Sequence, residues 1–405
     1  MKRIWIISEF YYPEDTATGY YLTKIAEGLA KMFSVHAICS YPMENSTIRN
    51  IPYTDVYNGV VIYRCFAPTF NKNVLFFRIL RLLSVSLSIF WKSLLKIARG
   101  DVVLVVTNPP SLPFITRIVC WLHGAKSVLL IHDVYPDVLI ASGMIREQSF
   151  LSRFLRSLNR RLYESVNHII VIGRDMCLLV KSHLRDRHPE VEYIPHWADV
   201  ESIVPMPRLE NPLLQQLHLI DKFVFQYSGN IGRTHDIKSI VAAAQQLLGY
   251  EDIHFLFIGD GAKRQWLETS VRTSHLRNIT ILPPQPRENL LTTLNACDVA
   301  MISFVKGMKG VSVPSRMYNI FAAGKPIIAL TDPLSELGMV INEKQVGWVV
   351  PQGDIEALVK AILAIRKRAD LNIFSARAES AVSKSYQYSQ VLEKYYSLMS
   401  RFVIE

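Results

Sequence analysis

Cysteine is scarce in this chain of 405 residues: Cys39, Cys65, Cys120, Cys177 and Cys297 are scattered, odd in number and never in a C-x-x-C pair. That excludes a disulfide framework or a structural zinc site and points to a reducing, cytoplasmic setting. A signal-peptide core is missing as well, because "MKRIWIISEF" turns polar at Ser8 and Glu9; a first buried strand is expected there, and secretion is not. No complete G-x-G-x-x-G fingerprint and no Walker-type lysine motif occurs, which disfavours nicotinamide and flavin dehydrogenases and P-loop enzymes. Acid is in deficit, 35 Asp and Glu against 45 Lys and Arg, for a formal net charge of +10. Such a balance suits an anionic partner, and nucleic acid, an anionic membrane and a nucleotide cosubstrate all qualify.

What the chain does have is apolar material, 50% of its residues, enough for two domains rather than disorder or repeats. Apolar runs alternate with helical patterns throughout, the mark of parallel sheets with crossover helices. Strands are predicted at "RIWIIS", "VHAICS", "VVIYR", "DVVLVVT", "SVLLIH", "HIIVI" and "VEYIP", then at "FVFQYSG", "HFLFIGD", "NITILP", "VAMIS", "PIIAL" and "GWVV". The expected fold is α/β, two doubly wound parallel-sheet domains of Rossmann-like type. The boundary falls near Asp199, giving domains 1–198 and 199–384. The tail 385–405 carries Tyr and Leu at helical spacing and could pack on either domain; we assign it to the first.

Residues Val74 to Arg99 mix apolar positions with Arg78, Arg81, Lys92, Lys96 and Arg99. The uncharged run inside falls short of the ~20 residues of a membrane span. Two readings stay open, a helix lying on an anionic membrane surface or a crossover helix whose apolar face is core.

Glycine turns follow strands directly at Gly229 and Gly232 in "YSGNIGR" and at Gly259 and Gly261 in "FIGDGAKRQWLE", the place where open α/β sheets bind ligands. Each pair alone could be a tight turn. In "VPSRMYNIFAAGKPIIAL" a proline opens a helix with Arg316 in its first turn, so free N–H groups and a positive dipole end would make an anion cradle.

In order, "YSGNIGR", "HFLFIGDGAKRQWLE", "NITILPPQPRENLLTTLNACDVAMIS" and "VPSRMYNIFAAGKPIIAL" resemble the C-terminal half of family 4 glycosyltransferases of the GT-B type. "TNPPSLPF", "HDVYPDVLIASGMI" and "VEYIPHWAD" resemble the subgroup that builds bacterial surface polysaccharides, such as colanic-acid and O-antigen sugar transferases. The resemblance covers nearly the whole chain. It implies two domains facing a central cleft, a nucleotide-sugar donor (UDP by family habit) held mainly by the second, and retention at the anomeric carbon. The acceptor would be lipid-linked or a growing glycan on the first domain, with peripheral contact to the inner face of the plasma membrane and no nucleic acid. No D-x-D sequence occurs, in agreement with a metal-independent scheme that has no cofactor beyond the nucleotide-sugar cosubstrate. Leaving-group charge is then met by backbone N–H groups, helix ends and cationic side chains.

The resemblance assigns roles residue by residue. His132 and Asp133 would be catalytic, near the donor sugar, although a histidine at a strand end can be merely structural. Donor phosphates would meet Gly19, Gly229, Asn230, Arg233, His235, Lys238, Ser315 and Arg316. The nucleoside would meet Gly259, Asp260, Pro284, Gln285 and Asn319. Two departures stand out: Val311 and Asn319 occupy positions where many members carry glutamates, and Asn230 and His235 those of the usual Arg and Lys phosphate clamp. Arg233 and Lys238 would have to supply that charge. A nucleotide-sugar 2-epimerase, or a catalytically silent partner in a polysaccharide assembly, are the alternatives on the same scaffold.

Overall fold

A computed structural model describes residues 2–14, 16–42, 51–68, 75–185 and 189–404. Val74, where the basic apolar segment was taken to begin, lies outside them. Two compact units emerge, one of Met1–Tyr135, Arg153–Pro195 and Ser389–Glu405, the other of Pro136–Ser152 and His196–Tyr388. Residues 136–152, left in the first domain by the sequence reading, group with the second unit. The reason is packing of the short helix Asp137–Ala141, since a Cβ on Gly307 would stand 3.7 Å from that of Ala141.

The first unit is built on β1 (Ile4–Ile7), β2 (Val35–Ser40), β3 (Thr54–Tyr57), β4 (Val60–Cys65), β5 (Val102–Val106), β6 (Lys126–Ile131), β7 (His168–Val171) and β8 (Glu190–Tyr193). They form one sheet in the order β3-β4-β2-β1-β5-β6-β7-β8. The central strands are continuous Val, Ile and Leu; β5 is "VVLVV" and buried at every position, as a strand covered on both faces must be. All pairings are parallel except β3 with β4, which is antiparallel. This antiparallel edge strand adds to the expected parallel sheet. Asn58 and Gly59, at φ 47° and 81°, form the two-residue turn whose twist matches a hairpin.

The second unit carries β9 (Phe223–Ser228), β10 (Ile253–Ile258), β11 (Ile279–Leu282), β12 (Val299–Ser303), β13 (Ile327–Leu330) and β14 (Gly347–Val350). Their order, β11-β10-β9-β12-β13-β14, is parallel throughout. The core centres on Phe225, Phe255 and Phe257 with Ile240, Leu358 and Ile362. Chain connectivity reverses between β9 and β12, so the carboxyl ends of these strands bound the crevice where such a sheet takes a ligand.

Candidate functional site

At those carboxyl ends the loops after β9 and β10 are stitched to one another. Gly229 N–H donates to Ile258 O at 2.9 Å, Gly259 N–H to Leu282 O at 3.1 Å and Ile231 N–H to Asp260 O at 2.8 Å. The stitch leaves no room for a side chain. Gly259 has φ +147°, and a Cβ there would stand 1.9 Å from Gly229 O, well inside contact distance, so only glycine fits. Arg264, one turn on, donates to the carbonyls of Gly259 and Leu282 and holds the loop from behind.

The result is a cavity of about 310 Å³ lined by Gly229, Asn230, Gly259, Asp260, Pro284 and Gln285. Six residues assigned from sequence to the phosphates or the nucleoside thus come together. Leu290 and Thr293 also line it; sequence reasoning missed both, and only their place in "PRENLLTTL", just after the Pro284-Gln285 turn, could have signalled them. Asn319 does not line it. Its Oδ1 accepts the Asp199 N–H at 3.0 Å, which gives it a structural partner where a ribose contact was expected.

The helix Arg316–Ala322, whose start was expected to cradle an anion, is seven residues long; Met317 N–H donates to Pro314 O at 3.0 Å and Tyr318 N–H to Ser315 O at 3.4 Å. Ser315 makes no capping bond with its side chain. The charge at this helix start is that of Arg316. Its Nη1 donates to Ser228 O at 2.8 Å, its Nη2 to Tyr227 Oη at 3.1 Å, and the guanidinium lies over the Tyr227 ring at 4.5 Å. A Cβ on Gly229 would come within 2.5 Å of Arg316 Nη1. The missing side chain of Gly229 therefore lets the Arg316 guanidinium lie against Gly229 and Ser228, two residues that line the cavity, although Arg316, Ser315, Arg233 and Lys238 do not themselves line it. Tyr227 anchors that cation, and its hydroxyl donates to Asn230 O at 2.7 Å; it opens the "YSGNIGR" segment, where sequence reasoning gave it no role of its own.

His235 is no cation. Burial first, then Arg316 and Lys263, push its pKa down to about 3, and its ring stacks on Phe304 with centroids 5.5 Å apart. It packs on Phe304 as a neutral ring at the position where the resemblance placed a phosphate contact. The nearby charge sits on Arg233 and Lys238, both exposed, and on Lys263, whose Nζ donates to His235 O at 2.5 Å. Lys263 is pushed below the usual lysine range by burial, with Lys238 and Arg233 acting in the same direction. Arg233 and Lys238 belong to the segment that follows Gly229, and Lys263 is tied to that segment through His235 O. Lys238 also stands 5.7 Å from the centre of the Trp266 ring.

In the first unit His132 closes β6. Its N–H and that of Asp133 both donate to Thr107 Oγ1, at 3.2 and 3.4 Å, so the turn is held to the carboxyl end of β5. Burial pushes the His132 pKa down to about 4; the ring is neutral at neutral pH and offers one donor and one acceptor. Gly19 departs from expectation. Its N–H is taken by Thr16 Oγ1 at 3.1 Å as a helix cap, and a Cβ there would approach Glu14 O to 2.8 Å; these local needs explain the glycine without a phosphate. At the end of β1, Glu9 is buried and pairs with Arg81 at 2.9 Å, with burial raising its pKa despite the arginine. Sequence reasoning gave this pair no role.

Buried neutral histidines have a consequence for stability. His132 and His235 have folded pKa values depressed to about 4 and about 3. The unfolded chain takes up their protons below about pH 6.5 and the folded chain resists, so the stability they allow is present above that pH and lost as pH falls toward the folded values. Urea unfolding from pH 7 to pH 4 is expected to show a loss on the order of 3 kcal/mol from His132 alone, which His132→Gln removes.

Residues 214–379 match the family described as "Glycosyl transferases group 1". The chain is 34% identical over 401 residues, 98% of its length and 97% of the relative's, to the probable glycosyltransferase WbjE of Pseudomonas aeruginosa. It is 26% identical over 252 residues, 61% of each chain, to the putative colanic acid biosynthesis glycosyl transferase WcaI of Escherichia coli. Among solved structures, Anabaena Alr3699/HepE in complex with UDP and glucose matches with a TM-score of 0.75 at 12% identity, over 99% of this chain and 100% of that one. Two parallel-sheet α/β units and that likeness make the fold GT-B. With 34% identity to WbjE over nearly the whole of both chains and a family match across most of the second unit, the chain belongs to the group 1 glycosyltransferases.

Proposed function

We propose that the chain transfers a sugar from a UDP-linked donor to a lipid-linked or growing glycan acceptor in the synthesis of a bacterial surface polysaccharide. Transfer retains the anomeric configuration and needs no metal. The observation that carries the reading is the cavity of about 310 Å³ with the Arg316 guanidinium held against Ser228 and Gly229, two of its lining residues. The glycine-lined wall and Gln285 suit a nucleoside, and a fixed cation beside a glycine suits the diphosphate joined to it. Arg233, Lys238 and Lys263 stand in for the absent Arg and Lys clamp. The UDP in the HepE structure and the colanic acid assignment of WcaI support the donor and the pathway class.

The acceptor hydroxyl attacks the anomeric carbon on the face from which the diphosphate departs. The bond between sugar and phosphate oxygen breaks, the acceptor–sugar bond forms, and the acceptor proton passes to a phosphate oxygen. Positioning and the preorganised cations lower the barrier; His132, a neutral ring, and Asp133 serve the sugar and acceptor. Incubating the purified chain with bacterial membranes and radiolabelled UDP-sugars tests this. Label is expected in lipid-extractable product from at least one donor, and release of a free epimerised sugar or no turnover of any donor would overturn it.

A further inference from the structure

The second unit holds another cavity, of about 270 Å³, at the opposite end of its sheet from the one described above. Ile253, the first residue of β10, lines this cavity, and Ile258, the last, lines the other; about 17 Å of strand separates them. Lys222 and Asn278 stand immediately before β9 and β11. With Tyr250, Glu251, His254 and Arg277 they bring polar groups from three neighbouring strand starts to one place. Sugar transfer at the carboxyl ends uses none of them.

These groups are held in position without being used up. Lys222 Nζ donates to Glu251 O at 2.8 Å, which leaves its other N–H donors open. His254 is only 8% exposed; its Nε2 meets Thr280 Oγ1 at 2.8 Å, and its Nδ1 has no partner among the described residues. Burial, and then Lys222, pushes its pKa down to about 4, so the ring acts as a neutral hydrogen-bonding group. Asn278 is buried, with Nδ2 donating to Ala244 O at 2.8 Å and Oδ1 unpartnered. Arg366, ion-paired with Asp252, lies over the Tyr250 ring at 5.4 Å and steadies it. The exposed Arg277 guanidinium has no ion pair among the described residues. A groove that merely closed the sheet would have such side chains paired with one another.

The chemistry of the lining selects the ligand. Two cations, one of them the planar fork that engages two oxygens of a single group, match a dianion; a phosphate monoester is close to one at neutral pH, and a monocarboxylate is not. Beside them the Glu251 carboxylate accepts from hydroxyls, the neutral imidazole pairs with another, and the flat face of Tyr250 suits the carbon skeleton that carries them. The volume lies near the ~300 Å³ lower end of ligand pockets, which admits a small molecule. We propose that this cavity binds a small phosphate monoester of a polyol, its phosphate on Arg277 and Lys222 and its hydroxyls on Glu251 and His254, independently of the nucleotide at the far end of β10. The proposal goes beyond the functional reading above and does not rest on it.

Calorimetric titration of the UDP-saturated full chain with ribose 5-phosphate tests it. Binding is expected, weaker for inorganic phosphate and undetected for ribose, with hydrogen exchange slowed at residues 248–254 and 277–280. Arg277→Gln and Lys222→Gln are each expected to weaken binding about tenfold or more, with Tm and UDP affinity as in the parent. The proposal is overturned by absent binding of ribose 5-phosphate, by inorganic phosphate binding as tightly as the ester, by protection confined to other segments, or by affinity unchanged in both variants. Should UDP itself fail to bind, the donor reading falls alone: the same titration without UDP, read by exchange at 248–254 and by Arg277→Gln, still decides this site.

Discussion

Replacing Arg316 by alanine is expected to lower kcat by about 10²–10³, the usual loss when one preorganised donor to a developing anion is removed. The guanidinium is held by Ser228 O, by Tyr227 Oη and by the face of the Tyr227 ring. It therefore needs no reorganisation as charge builds on the leaving diphosphate. Arg316→Lys keeps the charge but not the fork that engages both oxygens, so it should recover only part of the rate. A purely structural arginine would behave differently. Its loss would lower Tm and leave the kcat of the folded fraction unchanged, and steady-state rates normalised to folded protein discriminate the two.

The second large effect concerns Gly259. Its alanine variant would force a Cβ to within 1.9 Å of Gly229 O at φ +147°, so either the stitch between the loops after β9 and β10 opens or the backbone distorts. A loss of about 3 kcal/mol or more and abolished UDP binding are expected. Gly353 provides the control, since its φ is also positive, +79°, but nothing lies within 4 Å of a Cβ there. Gly353→Ala should cost only about 1 kcal/mol and spare UDP binding. Urea midpoints and calorimetric titration read both outcomes. Equal costs at the two positions would mean that backbone conformation, and not the close approach across the cavity floor, sets the requirement.

The central strands were legible in the sequence because a strand covered on both faces must be a continuous apolar run, and "VVLVV" or "HFLFI" admits little else. β3 was not. "TDVY" lies at an edge with alternating exposure, and its apolar content is too low to stand out; the Asn58-Gly59 pair was the signal that could have revealed it. In the site, the glycine turns were readable because they follow strands directly, while Pro284 and Gln285 came only from the family resemblance. Burial was not readable. Nothing in "GRTHDIK" tells that His235 stacks on Phe304 and stays neutral, or that Arg316 folds onto a tyrosine 89 residues away. Those properties belong to contacts between distant segments, as does the taking of the Gly19 amide by Thr16.

Hydrogen–deuterium exchange with and without UDP tests the donor site most directly. Protection is expected at residues 228–235, 258–264 and 284–293, the three loops around the cavity, and to be weakened in Arg316→Ala. UDP that binds yet leaves these loops unprotected, or protects only the first unit, would contradict the account.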